Sequence, residues 1–326
     1  MDSVTQITLG AAIGEATLGR RAGYRAALWG GICGTLPDLD SFIPYGDAVA
    51  TVTYHRSFSH SLLVLPFLTP LLVRIILKFH PELSTLKREW FLLVFLVLFT
   101  HPLLDGFTVY GTQLLWPVYI YPVSWSTIFI IDPAYTLPLL CGLVSARLLK
   151  ANRHLGFCLN IGGIVLSSLY LTWTVAAKLY VNERVSEQLN QVNNRFDRVL
   201  TTPAPFNTLV WRIVAMVPDG YYEGFYSIFN DDRGLNLRRF DSEPTMLQGL
   251  ESHWPVQRLQ WFTHGFYRVS RVGTAIIMTD LRMGQEPAYV FNYKIGEVTQ
   301  SGAVPNPGVL MPGLSIWQRF QDQTEQ

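Results

Sequence analysis

Three short motifs in the N-terminal part of the chain carry the side chains with the strongest metal-binding chemistry. PDLD ends at Asp40, HRSFSHS begins at His55, and THPLLDG contains His101 and Asp105. Imidazole and carboxylate ligands together suit Zn²⁺ or Mn²⁺, whereas carboxylates alone are typical of Mg²⁺ or Ca²⁺ sites. The residue types therefore predict a site for one or two divalent metal ions.

The candidate metal ligands are the imidazoles and carboxylates of these motifs, namely Asp38, Asp40, His55, His60, His101 and Asp105. His101 and Asp105 are four residues apart in a predicted helix, so their side chains share one face. An ionisable group at membrane depth is costly, and it indicates a functional role when partners can be named.

A site of this composition favours metal-assisted hydrolysis. A bound divalent ion lowers the pKa of water toward about 7, and two ions about 3.5–4 Å apart contact both the attacking and the leaving oxygen of a phosphoester. Asp38 and His60 are the candidate catalytic groups within the ligand set. Arg56, which lies between the histidines of HRSFSHS, is a candidate for bidentate binding of a phosphate or carboxylate oxygen.

Each motif also has an ordinary structural interpretation. PDLD is a common turn sequence and Asp is a common helix cap. The serines of HRSFSHS could cap a helix, and the HxxxD spacing could form a hydrogen-bonded pair inside a membrane. Asp132, which precedes Pro133, and Glu15 in the first apolar segment are weaker candidates for a further ligand or for an acceptor of a histidine N–H.

The composition indicates a membrane protein. Of the 326 residues 49% are hydrophobic and 15% are charged, with a mean hydropathy of +0.22, whereas about a quarter of the residues of a soluble domain are charged. The net charge of +1 provides no basic face for a nucleic acid, so we expect no nucleic-acid partner. Cys33, Cys141 and Cys158 form no CxxC pair and indicate neither disulfides nor a thiolate site.

The elements that must position the motifs are apolar helices. A helix needs about 17–25 residues to cross a bilayer, and four segments reach that length: residues 61–79, 90–109, 125–148 and 156–181. Two shorter apolar helices, at 5–19 and 24–36, are rich in Gly and Ala, which lets helices approach closely inside a membrane. The predicted fold is an α-helical membrane domain over residues 1–181.

A soluble domain is predicted after the last apolar helix. The chain becomes polar from about residue 182, and segments such as TLVWRIVAMV and TAIIMTDLRM have the β-branched and aromatic content of strands. We therefore expect a small α+β domain over residues 182–326. Its Pro/Gly-rich tail, from about Ser301, is expected to be poorly ordered.

The basic residues predict the orientation in the membrane. Lys and Arg concentrate in the turn at 20–25, around 78–88 and around 147–153, whereas the connection GTQLLWPVYIYPVSW has neither. Short basic loops stay in the cytoplasm, and Trp and Tyr are enriched at membrane interfaces. This predicts a multi-pass membrane protein whose metal motifs and C-terminal domain lie outside the cytoplasm.

The order of the motifs resembles a family of bacterial inner-membrane proteins described as YdjM-like metal-dependent hydrolases. The resemblance rests on PDLD, HRxxxHS, and HxxxD followed by Thr and an LLWP segment, and it covers roughly residues 1 to 120. It implies that the six candidate ligands bind metal, with Zn²⁺ ahead of Mn²⁺ or Mg²⁺. The family is thought to be distantly similar to the all-helical zinc-dependent phospholipase C and P1 nuclease fold.

The chain departs from the family pattern at one position. Many relatives have histidine after the N-terminal threonine, where this chain has Gln6 after Thr5. An amide is a poor Zn²⁺ ligand, and no downstream HxxxE pair is found, so one or two ions are implied rather than three.

Together these observations predict a membrane-bound metal-dependent hydrolase that cleaves a phosphoester in an amphiphilic substrate, such as a phospholipid or a lipid-linked intermediate. Two other functions stay open. The chain could be a non-catalytic membrane protein stabilised by a metal, with a soluble domain that binds a partner, or it could be an ion or proton transporter. A transporter would need polar groups that continue toward the cytoplasmic side, where the long helices are mostly Leu, Val and Phe.

Overall fold

The structure is a computed structural model that describes residues 1–149, 151–191, 195–229, 234–300 and 302–311. The chain divides into two compact units. The first consists of Met1–Phe42, Arg56–Leu179 and Pro203–Thr208, and the second consists of Ile43–His55, Tyr180–Thr202 and Leu209–Gln326. The sequence suggested a single division near residue 181, whereas the short segment Ile43–His55 belongs to the second unit.

The first unit begins with a closely packed helix pair, α1 (Ser3–Ala22) and α2 (Tyr24–Thr35). A Cβ atom on Gly10 would lie 2.3 Å from the Gly30 carbonyl oxygen, and one on Gly30 would lie 2.2 Å from the Gly10 carbonyl oxygen. The two backbones therefore touch where neither helix has a side chain, as small residues allow in membrane helices. Gly23, with a φ of 66°, makes the turn between the helices because glycine tolerates positive φ.

Short helical turns hold the first two motifs. PDLD lies in the 3₁₀ turn Pro37–Phe42 that follows α2, and α3 (Ala48–Tyr54) comes next in the chain. HRSFSHS follows α3 and contains the single 3₁₀ turn Phe58–His60. The metal motifs are thus presented by tight turns rather than by long helices, with the exception of THPLLDG.

The remaining helices are α4 (Leu65–Phe79), α5 (Lys87–Gly106), α6 (Pro133–Leu148) and α7 (Arg153–Asn190). Among the described residues, two segments are long and apolar enough to cross a membrane, Pro81–Gly106 and Arg153–Asn190. A third span exists only if Ala48–His60 and Leu65–Phe79, bent by 71°, count as one. The prediction of four long transmembrane helices is therefore not confirmed.

Two of the predicted spans, those at α4 and α6, are shorter as helices for local reasons. These helices have 15 and 16 residues, fewer than the roughly 17–25 of a full span. The predicted span 125–148 is shortened because α6 begins only at Pro133, where proline suits the first helical turn, and the apolar residues before it are not helical. The predicted span 61–79 is shortened because residues 62–64 form a turn after HRSFSHS and α4 begins only at Leu65.

The core of the first unit forms around α5, which packs against α1, α2 and α4. Trp90, Leu93 and Val94 are fully buried along this helix, and His101 and Asp105 near its C-terminal end are buried as well. Burial of polar side chains in an apolar core requires partners. The end of α5 is therefore where a functional site is expected.

The second unit contains two four-stranded sheets, with strand orders β1-β2-β3-β4 and β10-β9-β6-β5, and a short β7-β8 pair. Its strands are β1 (Arg198–Pro203), β2 (Val210–Val217), β3 (Gly220–Ser227), β4 (Asn236–Asp241), β5 (Tyr267–Val272), β6 (Ala275–Asp280), β7 (Gly284–Gln285), β8 (Ala288–Tyr289), β9 (Asn292–Thr299) and β10 (Gly302–Leu310). One helix, α8 (Trp254–Phe262), precedes β5. The predicted C-terminal domain with β-sheet is confirmed.

The first part of the tail, which we expected to be poorly ordered, forms a strand. Gly302–Leu310 form β10, which pairs with β9 from Gly302 opposite Thr299 to Leu310 opposite Tyr293. The backbone hydrogen bonds of this ladder outweigh the Pro/Gly content that suggested disorder. Residues 301 and 312–326 lie outside the described part of the chain.

Candidate metal centre

Four of the predicted ligands lie together in the first unit: Asp38, His60, His101 and Asp105. Each offers one ligand atom, and the four atoms lie within 4.8 Å of one another. The side chains of His60, His101 and Asp105 are 0–1% exposed, whereas that of Asp38 is 22% exposed. Asp38 is thus the member of the cluster that a molecule from outside could reach.

The distances within the cluster match those around a tetrahedral ion. His60 Nε2 lies 3.2 Å from His101 Nε2, 3.3 Å from Asp38 Oδ1 and 3.2 Å from Asp105 Oδ2. His101 Nε2 lies 3.5 Å from each of the same two carboxylate oxygens. Ligand bonds of about 2.0–2.1 Å in a tetrahedron keep the ligand atoms about 3.3–3.4 Å apart. These five distances are close to that spacing, so the four side chains could hold one ion.

Hydrogen bonds on the far side of each ring orient the two histidines. His101 Nδ1 lies 2.8 Å from the Gly34 carbonyl oxygen, which can only accept, so the proton is assigned to Nδ1 and the Nε2 lone pair faces the cluster. His60 Nδ1 lies 2.9 Å from Ser59 Oγ, and Ser59 donates its own hydrogen to Asp40. Two imidazole lone pairs and two carboxylates then point at one place, which is the arrangement of a cation site.

Asp40 supports the cluster from behind His60. Its Oδ2 accepts a hydrogen bond from Arg56 N at 3.0 Å and one from the Ser59 hydroxyl, and lies 3.8 Å from His60 Nδ1. Carboxylates in such positions orient metal-binding histidines and raise their basicity. We predicted Asp40 as a direct ligand; in the structure it lies outside the group of four and is linked to His60 through the Ser59 hydroxyl.

His55 is not part of the four-residue cluster. It follows α3 and donates its backbone N–H to the Thr51 carbonyl oxygen at 3.1 Å. It belongs to the second unit, whereas the four clustered residues belong to the first. Of the six predicted ligands, the structure therefore brings four together and leaves Asp40 and His55 outside.

Arg56 lies against the ligand Asp105 rather than on the surface. Its side chain is 4% exposed, and its Nε lies 3.3 Å from Asp105 Oδ2. Its Nη1 donates to Thr108 Oγ1 at 3.3 Å, and the guanidinium lies 4.9 Å from the centre of the Tyr110 ring. The φ of Arg56 is 62°, an uncommon value for a residue other than glycine. Strained backbone of this kind is typical of functional sites.

Gln6, the departure from the family pattern, lies beside the cluster. Its side-chain amide donates to Asp105 Oδ1 at 3.0 Å and to the His101 carbonyl oxygen at 3.2 Å. The Met1 amino group also contacts Asp105 Oδ1. Because the amide donates hydrogen bonds here, Gln6 orients a ligand carboxylate. The sequence singled out this position through the resemblance alone.

The two weaker candidates have structural partners. Asp132 caps α6 by accepting hydrogen bonds from Ala134 N at 2.9 Å and Tyr135 N at 3.3 Å, and its other oxygen accepts from the Tyr170 hydroxyl at 2.9 Å. Glu15 forms an ion pair with Arg147. Neither residue belongs to the metal-binding cluster.

Two groups contribute to the site in roles that the sequence did not predict. Ser59 links Asp40 to His60, although the sequence suggested only a helix-capping role for it. Gly34 contributes its carbonyl oxygen to His101. A backbone carbonyl is present at every residue, so the sequence cannot identify which one is used.

Comparison with known proteins identifies relatives of this chain. The family model of the YdjM inner membrane protein matches residues 1–184, a range that contains all four clustered residues. The chain is 24% identical over 232 residues to the uncharacterized protein YfhP of Bacillus subtilis (strain 168), which covers 69% of this chain and 68% of that protein. No solved structure matches the chain, and the distant similarity to the phospholipase C and P1 nuclease fold stays a prediction.

Proposed function

Because the chain belongs to the YdjM inner membrane protein family and holds a buried Asp/His cluster within the matched residues, we propose that it is a membrane-bound metal-dependent hydrolase. Its substrate in this proposal is a phosphoester in an amphiphilic molecule. The observation that carries the proposal is the cluster itself, whose ligand atoms are spaced for one ion.

The proposed ion is Zn²⁺, held by Asp38, His60, His101 and Asp105. Two imidazole nitrogens and two carboxylate oxygens at tetrahedral spacing suit Zn²⁺, whereas Mg²⁺ prefers octahedral oxygen ligands and keeps several waters. One such group of ligands is found among the described residues, which supports one ion rather than two. When bound, a divalent ion supplies Lewis acidity and lowers the pKa of water toward about 7.

Individual side chains of the site have separate roles in the proposed reaction. Asp38 is the only partly exposed ligand, with a side chain 22% exposed, so its carboxylate is the group able to accept a proton from an attacking water. His60 is held from behind by Ser59 and Asp40. Arg56 holds Asp105 and adds positive charge beside the site, which favours a phosphate anion.

Support for an amphiphilic substrate comes from the apolar side chains next to Asp38. Leu39 and Phe42, in the same 3₁₀ turn, are 50% and 82% exposed. Exposed apolar groups at a site mark contact with a protein partner, a membrane or a hydrocarbon ligand. Hydrocarbon close to the reactive carboxylate is what a lipid phosphoester would provide.

The connection between α5 and α6 gives further support. It has no charged residue from 106 to 131, and Val118 is 83% exposed. It is joined to the HRSFSHS segment, since Ser61 Oγ donates to the Trp116 carbonyl oxygen at 2.6 Å and Leu62 N donates to the Leu114 carbonyl oxygen at 2.9 Å. A neutral loop with exposed Tyr and Trp side chains suits a membrane interface.

A hydrolysis assay tests the proposal. Detergent-purified protein loaded with Zn²⁺ is given a soluble chromogenic phosphodiester and a fluorogenic phospholipid in mixed micelles. We expect metal-dependent hydrolysis, faster for the phospholipid, that is lost in Asp38→Asn and His101→Ala. His154→Ala, at a histidine outside the cluster, is the matched control and should keep the activity. Zinc-loaded wild type that hydrolyses neither substrate would contradict the proposal.

One observation favours a non-catalytic role as the second candidate. Four protein ligands complete a tetrahedron, and closed sites of this kind are typical of structural zinc. In that case the ion would hold the PDLD turn, the HRSFSHS turn and α5 together, and its removal would lower the melting temperature while no phosphoester is hydrolysed. Transport receives no such support, because Trp90, Leu93 and Val94 below the cluster are apolar and fully buried.

A further inference from the structure

The chain between two parts of the metal site belongs to the C-terminal unit. Asp40 precedes the segment Ile43–His55 in sequence, and Arg56 and His60 follow it. This segment, which contains α3, is counted with the second unit rather than with the first. The backbone that leads into the ligand His60 therefore starts from an element of the second unit.

Helix α3 is built into the core of that unit, where it packs against α8 and β10. Val49 of α3 is fully buried in a cluster with Leu250 and Val256. A Cβ atom on Gly308 of β10 would lie 2.7 Å from Val49 Cγ2, so the strand approaches α3 closely. The position of α3 is consequently determined by α8 and β10.

Arg258 of α8 holds the C-terminal end of α3. Its Nε donates to Thr53 Oγ1 at 2.9 Å, and its Nη2 donates to the Thr53 carbonyl oxygen at 3.2 Å. The guanidinium also lies 4.6 Å from the centre of the Tyr54 ring and 4.0 Å from that of Trp261. The last carbonyls of a helix lack intrahelical partners, and arginine can satisfy them. Burial lowers the pKa of Arg258 from its ordinary value, but arginine remains charged at neutral pH.

The residues that follow α3 make the hydrogen bonds that support the metal centre. Two residues after Tyr54 the chain reaches Arg56, whose backbone N–H donates to Asp40 Oδ2 at 3.0 Å. Ser59 donates to the same carboxylate and contacts His60 Nδ1. A shift of the α3 terminus would displace Arg56 and loosen the contacts that orient His60.

We propose that Arg258 is a positioning residue for the metal centre, which acts by fixing the end of α3 and thereby the backbone that carries Arg56 and His60. The C-terminal unit then takes part in metal binding without contributing a ligand. The inference rests on the metal site of the proposed function but not on its hydrolytic reaction.

The test is a Co²⁺ titration of full-length, metal-stripped protein in detergent, followed by its visible absorption, with Zn²⁺ competition for affinity. Removal of groups that orient ligands weakens metal binding by about 10–100-fold, and Arg258→Ala is expected to weaken Co²⁺ binding by about tenfold, at the lower end of that range. The Co²⁺ spectrum should also change. Arg258→Lys should restore part of the affinity, because lysine can still donate to the Thr53 carbonyl oxygen.

Thr279→Ala is the matched control in the same unit. Thr279 Oγ1 donates to Asn292 Oδ1 at 2.7 Å between buried side chains, and these residues lie on β6 and β9 rather than on α3 or α8. This substitution should lower the melting temperature and leave the Co²⁺ affinity and spectrum unchanged. If Arg258→Ala does not fold, Thr53→Val removes the hydroxyl that accepts a hydrogen bond from Arg258, and it should also weaken metal binding.

The outcomes separate the inference from the function on which it rests. Wild-type affinity and spectrum in Arg258→Ala would overturn the positioning role while leaving the metal site intact. Equal weakening by Arg258→Ala and Thr279→Ala would also overturn it, because general loss of stability would then be the cause. A wild type that binds neither Co²⁺ nor Zn²⁺ would instead contradict the metal site itself.

Discussion

The side chains of the metal centre differ in what they touch. Asp38, His60, His101 and Asp105 direct ligand atoms at one place. Asp40, Arg56 and Gln6 instead contact those ligands or the backbone beside them. The structure therefore predicts different effects for substitutions in the four clustered residues and in Asp40, which the sequence predicted as a further ligand.

Substitution of predicted ligands should separate these groups. Asp38→Ala or His101→Ala removes an atom that would bind the ion, and we expect Zn²⁺ affinity to fall below detection in a competition titration with a chromogenic chelator. His55→Ala, outside the cluster, should change the affinity less than about tenfold, the lower limit for loss of an orienting partner. A His55→Ala variant that binds no metal would show that the ligand set differs from the four residues.

Substitution of a residue that supports a ligand should weaken metal binding less than substitution of the ligand itself. Ser59→Ala removes the hydroxyl that links Asp40 to His60 Nδ1, and loss of an orienting partner weakens metal binding by about 10–100-fold. The same competition titration measures the change. Ser41→Ala is a suitable control, since Ser41 bonds only to the Asp38 carbonyl oxygen and is exposed. Unchanged affinity in Ser59→Ala would remove the role assigned to this contact.

The sequence could identify ligand types but not the direction of each side chain. His101 and Asp105 are correctly placed together because four residues make about one helical turn. Asp38 and Asp40 were both predicted as ligands, but a 3₁₀ helix has about three residues per turn, so residues two apart point in different directions. His55 lies at the end of α3, a helix that motif spacing does not reveal.

Helices α1 and α2 each contribute a hydrogen bond that orients a member of the cluster. Gln6 of α1 contacts Asp105, and Gly34 of α2 accepts the hydrogen bond of His101. A Cβ atom on Gly34 would lie 2.6 Å from the Gln6 carbonyl oxygen. Close approach of these two helices is thus a condition for the orientation of His101.

Neighbouring glycines of α2 should respond oppositely to alanine. Gly30→Ala places a methyl group 2.2 Å from the Gly10 carbonyl oxygen and should destabilise the protein by about 1–3 kcal/mol or more, as overpacking does. A Cβ atom on Gly31 would have Ile7 Cγ2 as its nearest neighbour, at an ordinary contact distance of 3.4 Å, so Gly31→Ala should be neutral or stabilising by up to about 1 kcal/mol through helix propensity. Thermal unfolding in detergent measures both. Equal melting temperatures would contradict the close contact of the helices.

The four long helices predicted from hydropathy are not all confirmed among the described residues, because hydropathy does not distinguish a helix from an apolar loop. Residues 125–131 are apolar enough to extend a span, but they precede the cap Asp132, and α6 begins only at Pro133. The short N-terminal pair was predicted well, since its Gly and Ala content is a direct signal of close helix packing.

At the scale of the whole chain, the basic residues set the expected orientation. α5 begins at Lys87 and ends near Asp105, and α7 begins at Arg153. If these basic ends are cytoplasmic, a reporter fused after Gln326 should be extracytoplasmic and one inserted after Glu82 should be cytoplasmic. Alkaline phosphatase and green fluorescent protein fusions report the two sides. A cytoplasmic C-terminal reporter would reverse the proposed orientation.

The two-unit organisation was only partly accessible from the sequence. Strand-like segments after residue 182 predicted the β-sheet content, because β-branched and aromatic residues are a local signal. The assignment of Ile43–His55 to the second unit was not predicted. It depends on contacts of α3 with α8 and β10, which lie about two hundred residues away in the chain and leave no local pattern in the sequence.

The most direct test of the central claim is the metal content and ligand environment of the purified protein, by elemental mass spectrometry and X-ray absorption at the zinc edge. We expect about one Zn²⁺ per chain, bound by two imidazole nitrogens and by carboxylate oxygens, and absent from an Asp38→Ala/His101→Ala double variant that still folds. A folded wild type that stays metal-free after incubation with Zn²⁺, or a double variant that keeps its metal, would contradict it.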